Sequence, residues 1–332
     1  MMESEFINLG FKKHFFCKGL RSISGEFSEK NRCGIYILNF ENGEYYVGLA
    51  VDVVRRYAQH KKTYSDISFV SFKETARSKL AETEKETIHA LEDLDKKLRN
   101  INIVSIIIGE TDLDMVVPPE QQTEWLLSSE PISEAKVERF NFPELRQKYS
   151  SRFIRLQQHE HYDVIAELIF LYTAYLIPFP KSTEYSFWSV SCLPSPNQPF
   201  ARFNISWQET MVLFEDTPEF EQDNQIAPIK FIYLSIWLCK SILEQHHEYS
   251  ELEKLFSSFY ADDNIHATGG KDQKRIIIEL NDFYEFVELD GIAEAIKTFN
   301  LRLMRKGGCQ WKRYHCFDLA DVALTAPSLF EI

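Results

Sequence analysis

The chain has 332 residues, 44% of them hydrophobic, and a formal net charge of -13 at pH 7; this allows two domains of ordinary size, or one large domain with an appended module, and a sizeable core. The acidity is uneven: residues 1–110 carry about 17 Lys and Arg against 16 Asp and Glu, and residues 111–332 about 20 against 34, so the first third can offer basic patches to phosphate while the remainder cannot wrap nucleic acid by charge alone. Six cysteines without metal-ligand spacing, an opening without a signal-peptide pattern, and a longest apolar run (164–178) that carries Glu167 and is too short to span a bilayer argue against a disulfide scaffold and a membrane anchor. A cytoplasmic protein with reduced thiols and no membrane partner is expected.

Residues 1–30 lack a clean period and are treated as an N-terminal extension. Their cluster FKKHFFCKGLR (11–21) mixes cations with aromatics, as a phosphate-facing arm would, and equally suits a helix or strand packed on the domain that follows. From Arg32 the pattern sharpens. Ile35, Ile37 and Phe40 read as one strand and Tyr45, Val47 and Leu49 as the next, joined through Glu41-Asn42-Gly43-Glu44 with its Asn-Gly hairpin signal. Asp52 stands at an N-cap position before the helix VVRRYAQHKK, whose apolar face holds Val53, Val54 and Tyr57. A third strand is expected at 67–72, a second helix at 79–98 with Leu80, Ile88, Leu91, Leu94 and Leu98 along one side, and a further strand at 103–110. Pro118-Pro119 and the polar residues around it put a domain boundary near residue 112. Beyond it the pattern is α+β, with helices at 120–127, 152–176 (open to a break), 229–246, 251–260 and 291–304. Strands are expected at 186–192, 201–207, 210–215 and 275–279, with a loop over 191–199.

Two tripeptides flank the hairpin turn: Gly34-Ile35-Tyr36 and Tyr46-Val47-Gly48, with nine residues between Tyr36 and Tyr46. Ten residues after Tyr46 comes Arg56, and one helical turn later His60, on the same helix face. Leu80, Glu84 and Ile88 recur every fourth residue on the next helix, and Asn100 follows it. In this order the residues resemble the catalytic domain of the GIY-YIG nuclease family, with Val47 in place of the isoleucine of its second signature. The resemblance covers residues 31–112. It implies a small domain with a three-stranded antiparallel sheet flanked by helices, and leaves 113–332 as a larger α+β domain of its own. It also implies roles: Tyr36 as general base, Tyr46 positioning water or phosphate, Glu84 as the metal-binding glutamate, His60 orienting or assisting the base, and Asn100 holding the metal site or walling it.

The chemistry has its own logic. Hydrolysing a phosphodiester needs a nucleophilic water, a group to take its proton, positive charge over the developing oxygens, and help for the leaving 3′ oxygen. One carboxylate suffices for a Mg²⁺ that keeps much of its hydration, and Glu84 is the candidate, with Glu86 as fallback and Mn²⁺ as the alternative ion. The planar donor fork of Arg56 suits a phosphate. A tyrosine near its usual pKa of about 10 is a poor base at neutral pH, but a neighbouring cation makes its phenolate more accessible. On adjacent strands, Tyr36 and Tyr46 can face the same phosphate. Taken singly, each residue has a plainer reading: tyrosines pack on pleated surfaces, Arg56 would be solvated as Arg55 is, and Glu84 sits in a run with Glu82 and Glu86.

The resulting expectation is a metal-dependent endonuclease acting on DNA, with the acidic 113–332 part directing or restraining it, or contacting a protein partner. The alternative is a binding module that keeps the fold without the catalysis. Duplex, branched and single-stranded DNA, and RNA, all present the phosphodiester such a site requires. Other candidates are weaker. His159, His161 and Asp163 have helix spacing that does not converge on a metal, and the His246-His247 pair shares that weakness. GGKDQKR (269–275) lacks P-loop spacing and reads as a glycine turn. The basic, aromatic stretch 303–316 suits either a helix end with a glycine stop or contact with unpaired bases through Trp311 and Tyr314.

Overall fold

The computed structural model describes residues 4–195, 199–216, 231–263 and 266–325. Its first unit, Met1–Gly109, is built on a four-stranded antiparallel sheet ordered β1-β4-β2-β3, where β1 is Lys13–Phe16, β2 is Gly34–Phe40, β3 is Tyr45–Ala50 and β4 is Ile67–Glu74. Three of these strands match the expected positions; the fourth comes from the segment treated as an extension. Its backbone pairs with β4 from Lys13 opposite Phe72 to Phe16 opposite Phe69, a pairing that any side chains can make.

Strand side chains alternate between faces, and the two faces of this sheet are covered separately. Tyr36, Leu38, Val70 and Phe72 pack on one face with Val53 and Tyr57 of α2 (Val53–Thr63) and with Ile23 and Phe27. Ile35, Ile37 and Val47 pack on the other with Leu80, Ile88 and Leu91 of α3 (Leu80–Asp93), and with Phe6 of α1 (Ser4–Asn8) and Phe11. Asp52 caps α2 by accepting from the Arg55 amide at 3.1 Å. Helix α3 stops short of the expected residue 98, where Asp95 takes a left-handed φ of 54°. The chain beyond it runs along the free edge of β3. The strand expected at 103–110 does not form. With that edge taken, these residues are irregular, and Val104 and Ile107 serve instead to cover the α3 face.

The second unit, Glu110–Ile332, holds a six-stranded antiparallel sheet ordered β5-β6-β7-β8-β10-β9. Its strands are β5 Trp188–Cys192, β6 Ala201–Ile205, β7 Gln208–Asp216, β8 Phe231–Leu238, β9 Tyr260–Asp262 and β10 Lys274–Glu279. The helices are α4 Pro119–Leu127, α5 Pro143–Gln157, α6 Tyr162–Leu176, α7 Pro180–Thr183, α8 Lys240–His246, α9 Tyr249–Leu255, α10 Leu280–Glu288, α11 Ile292–Arg305 and α12 Phe317–Ala323. The helix expected at 229–246 is a correction. Residues 231–238 form a strand between β7 and β10, because an unbroken FIYLSIWL run rich in β-branched and aromatic residues suits a strand buried on both faces. Residues 240–246 alone are helical, and 229–230 lie outside the described residues, as do 196–198 of the expected loop. The helix expected at 152–176 is broken into α5 and α6. No helix among the described residues is long and apolar enough to cross a membrane, and all six cysteines are free.

Candidate active site

The two tripeptides meet across the hairpin. Tyr36 stands directly opposite Gly48, and Tyr46 opposite Leu38, so both tyrosines rise from one face of the sheet, with ring centroids 6.3 Å apart. Glycine at position 48 is a packing requirement: a Cβ there would lie 2.2 Å from the Tyr36 hydroxyl oxygen. Gly34 has a similar reason, since its Cβ would lie 2.1 Å from the Lys73 carbonyl oxygen. Each tripeptide thus contributes a tyrosine and a glycine, and the second glycine makes room for the first tyrosine.

Helix α2 brings Arg56 and His60 over these rings on successive turns. The Tyr36 hydroxyl lies 2.7 Å from His60 Nε2 and accepts from Arg56 Nε at 3.3 Å. Because Arg56 can only donate, the phenolic proton is directed to Nε2. The His60 ring also packs 4.7 Å from the Tyr46 ring and stacks on Tyr64 at 5.9 Å. Arg56 is steadied by Gln59, whose Oε1 accepts from Nη1 at 3.0 Å.

The remaining two residues arrive from the edge of β3. Glu84 on α3 accepts from the Leu49 amide at 3.1 Å through Oε1. The Asn100 side chain is buried and behaves as one more strand residue: its Oδ1 accepts from the Val47 amide at 3.0 Å, and its Nδ2 donates to the Val47 carbonyl at 2.8 Å. Next to it, the Tyr45 amide donates to Lys97 at 2.9 Å and the Arg99 amide donates to Tyr45 at 2.7 Å. Asn100 therefore forms the wall of the cleft, and both ends of its amide are committed to the backbone.

Tyr46, Arg56, His60, Glu84 and Asn100 line one cleft of about 540 Å³. Tyr36 lines an adjoining cleft that shares Tyr46, Arg56 and Glu84 with the first. The structure therefore brings all six candidate residues together. Glu86, the fallback, lines neither cleft. Gln59 and Tyr64 also line the first cleft and were not singled out from the sequence; Gln59, three residues after Arg56, shares its helix face, and Tyr64 follows directly as the extended C-cap of α2. Arg99 reaches it too, its guanidinium paired with Glu44 at 2.5 Å and Asp66 at 2.6 Å.

Burial sets the protonation states. It pushes the Tyr36 hydroxyl well above the usual phenol range, helped by neighbouring Tyr46 and opposed by Arg56. It also raises Tyr46, again against Arg56, and raises the Glu84 carboxyl, against its bond from Leu49 and the Arg56 charge. His60 is lowered to about 4, first by burial and then by Arg56, so at neutral pH its Nε2 is a free acceptor for the Tyr36 proton. Among the described residues there is no cluster of three or more His, Cys, Asp or Glu that could hold a metal ion. A single hard carboxylate with one oxygen tied to a backbone amide, in a polar cleft, is a donor set that fits a Mg²⁺ keeping most of its waters.

No family model, curated protein or solved structure matches this chain.

The other sequence candidates fall elsewhere. His159 packs on Phe200 at 4.6 Å, and His247 Nε2 lies 2.8 Å from the Asp290 carbonyl. Residues 269–275 turn through Gly270, at φ 76°, into β10. Helix α11 ends at Arg305, ahead of Gly307.

Proposed function

We propose that the chain is a metal-dependent endonuclease that hydrolyses phosphodiester bonds of DNA, its first unit being a catalytic domain of the GIY-YIG type and its second directing or restraining it. The observation that carries the reading is the Tyr36 hydroxyl held between a neutral His60 Nε2 at 2.7 Å and Arg56 Nε at 3.3 Å, with Glu84 lining the same cleft.

Tyr36 is a phenol at rest, so it does not act as a standing phenolate. It takes the proton of the attacking water as its own proton passes to His60 Nε2, which keeps the buried pair neutral until the transfer occurs. The water oxygen bonds to phosphorus, the bond to the 3′ oxygen breaks, and the leaving oxygen takes a proton from solvent. Arg56 faces the charge that develops on the non-bridging phosphate oxygens. Tyr46, packed on His60, fixes the imidazole and offers its hydroxyl to water or phosphate. Glu84 would hold Mg²⁺ or Mn²⁺, which when bound supplies Lewis acidity to the phosphate and the leaving group. Asn100 keeps the strand that carries Tyr46 in place.

The test is cleavage of supercoiled plasmid, a branched duplex and single-stranded DNA with Mg²⁺ or Mn²⁺ by the full chain, compared with Glu84→Gln, Arg56→Ala and Tyr36→Phe. The expected outcome is cleavage that needs the ion and falls at least a hundredfold in each variant, in the range seen when general bases and charge-stabilising donors are removed. A wild-type chain that cleaves none of the three, or variants that cleave as well as it does, would sink the reading.

A further inference from the structure

In the second unit a separate cleft of about 600 Å³ opens among α5, the tip of the β6–β7 hairpin and the stretch 311–314, lined by Lys148, Arg152, Arg202, Trp207, Trp311 and Tyr314 among others. Three of its aromatics are open to solvent, Trp207 at 59%, Trp311 at 37% and Tyr314 at 40%, while Tyr149, which also lines it, is buried. They are nonetheless held in place. Ser206, which leads into Trp207, has a left-handed φ of 53°, a conformation uncommon for a residue with a side chain, and its carbonyl accepts from the Gln310 amide at 2.9 Å. The Trp311 indole N–H donates to the Trp207 carbonyl at 3.3 Å. Backbone acceptors thus tie the two tryptophans together; Trp311 packs beside Tyr314 at 6.2 Å and Arg313 lies over the Tyr314 ring at 4.8 Å, while all three aromatic residues keep a third or more of their surface open.

The charge around them is opposite to that of the unit. Residues 111–332 carry an excess of carboxylates, yet among the described residues lining this cleft Glu209 is the sole carboxylate, against three cations. Glu209 pairs with Arg202 at 2.9 Å. Lys148 and Arg152, four residues apart on α5, lie over the Tyr149 ring at 5.1 and 5.7 Å. Neither has a carboxylate partner among the described residues. Arg152 also donates from Nη1 to the Leu193 carbonyl at 3.2 Å, which leaves the rest of its guanidinium fork for a ligand. Aromatic rings beside cations that no carboxylate neutralises match the alternation of bases and phosphates along an unpaired strand.

We propose that this cleft binds an unpaired segment of a nucleic-acid strand, with bases stacked on Trp207, Trp311 and Tyr314 and phosphates at Lys148 and Arg152. It deepens the nuclease reading by naming what the second unit recognises, and it rests on that reading in taking nucleic acid as the ligand. A free mononucleotide shares the same chemistry, and the length of the bound segment separates the two.

The test uses the full chain carrying Glu84→Gln, with fluorescein-labelled oligothymidylate and a blunt duplex of equal length, followed by anisotropy over a range of salt. The single strand is expected to bind more tightly than the duplex. Trp207→Ala and Trp311→Ala should each weaken it about tenfold, and the corresponding Phe variants should restore most of the loss. Lys148→Ala with Arg152→Ala should flatten the plot of log affinity against log salt by roughly 0.7 for each phosphate no longer neutralised. Single-strand affinity unchanged in all these variants overturns the proposal, as does complete displacement of the oligonucleotide by an equal concentration of thymidine monophosphate. A wild-type chain that cleaves, but whose strand binding ignores the tryptophans, overturns this proposal alone. A chain that binds through them and never cleaves overturns the nuclease reading alone.

Discussion

A methyl group at position 48 would have to displace the Tyr36 hydroxyl, which is fixed on its other sides by His60 and Arg56. Overpacking of this kind costs about 1–3 kcal/mol, so Gly48→Ala is expected to lower the melting temperature measurably and to cut cleavage more steeply than stability, because the displaced atom is the proposed base. Thermal melting and a plasmid nicking assay on the same preparation check both parts; a variant with wild-type activity would show that the Tyr36 position is not critical. His60 gives a pH signature. Its folded value of about 4 lies below its ordinary 6.5, so between these values the unfolded chain binds the extra proton, and stability falls as pH is lowered from 6.5 towards 4. Glu84, raised by burial, works in the opposite direction, its stabilisation lost as pH rises through its folded value. The His60 contribution is therefore read by difference: His60→Gln should melt with a shallower decline on acidification than the wild type, and parallel curves would contradict the assignment.

Among the elements, the segment 97–100 closes the outer edge of β3. It supplies backbone partners to Tyr45 and, through the Asn100 amide, both partners to Val47. Asn100→Ala leaves a buried N–H and a buried C=O of Val47 unpaired, at about 1–3 kcal/mol for each group. Denaturant titration should show a loss of about 2–6 kcal/mol for the two groups together, with Asn100→Asp recovering the acceptor half only; a loss below about 0.5 kcal/mol would mean that water replaces the amide. The hairpin and α2 were legible in the sequence because their signals are local: Asn-Gly for the turn, alternation for the strands, Asp52 for the cap. Tyr36, Tyr46, Arg56 and His60 lie on those elements and Glu84 on α3; that they gather was an expectation from the resemblance of their order to the GIY-YIG family. Strand β1 and the 97–100 ladder were not legible, since backbone pairing makes no demand on residue type, and β8 was misread because an unbroken apolar run carries no period to distinguish strand from helix.

For the molecule as a whole, the division after Gly109 predicts that residues 1–109 fold alone, with one cooperative melting transition seen by circular dichroism. A fragment starting at residue 31 should not do so, because it lacks Phe6, Phe11 and Cys17, all essentially fully buried, and the strand that covers β4. Equal melting of the two fragments would restore the view of residues 1–30 as an appendage. The outer side of β3 is closed by side chains as well as backbone, and Glu84 belongs to that closure through the Leu49 amide. An alanine at position 84, the plainest substitution for testing the proposed site, would strip the acceptor from that amide and leave an unpaired N–H on the sheet border, able to pair with another copy of the chain. Aggregation in such a preparation would then look like a folding defect, while glutamine, which keeps an acceptor oxygen, would silence the site with the border still closed.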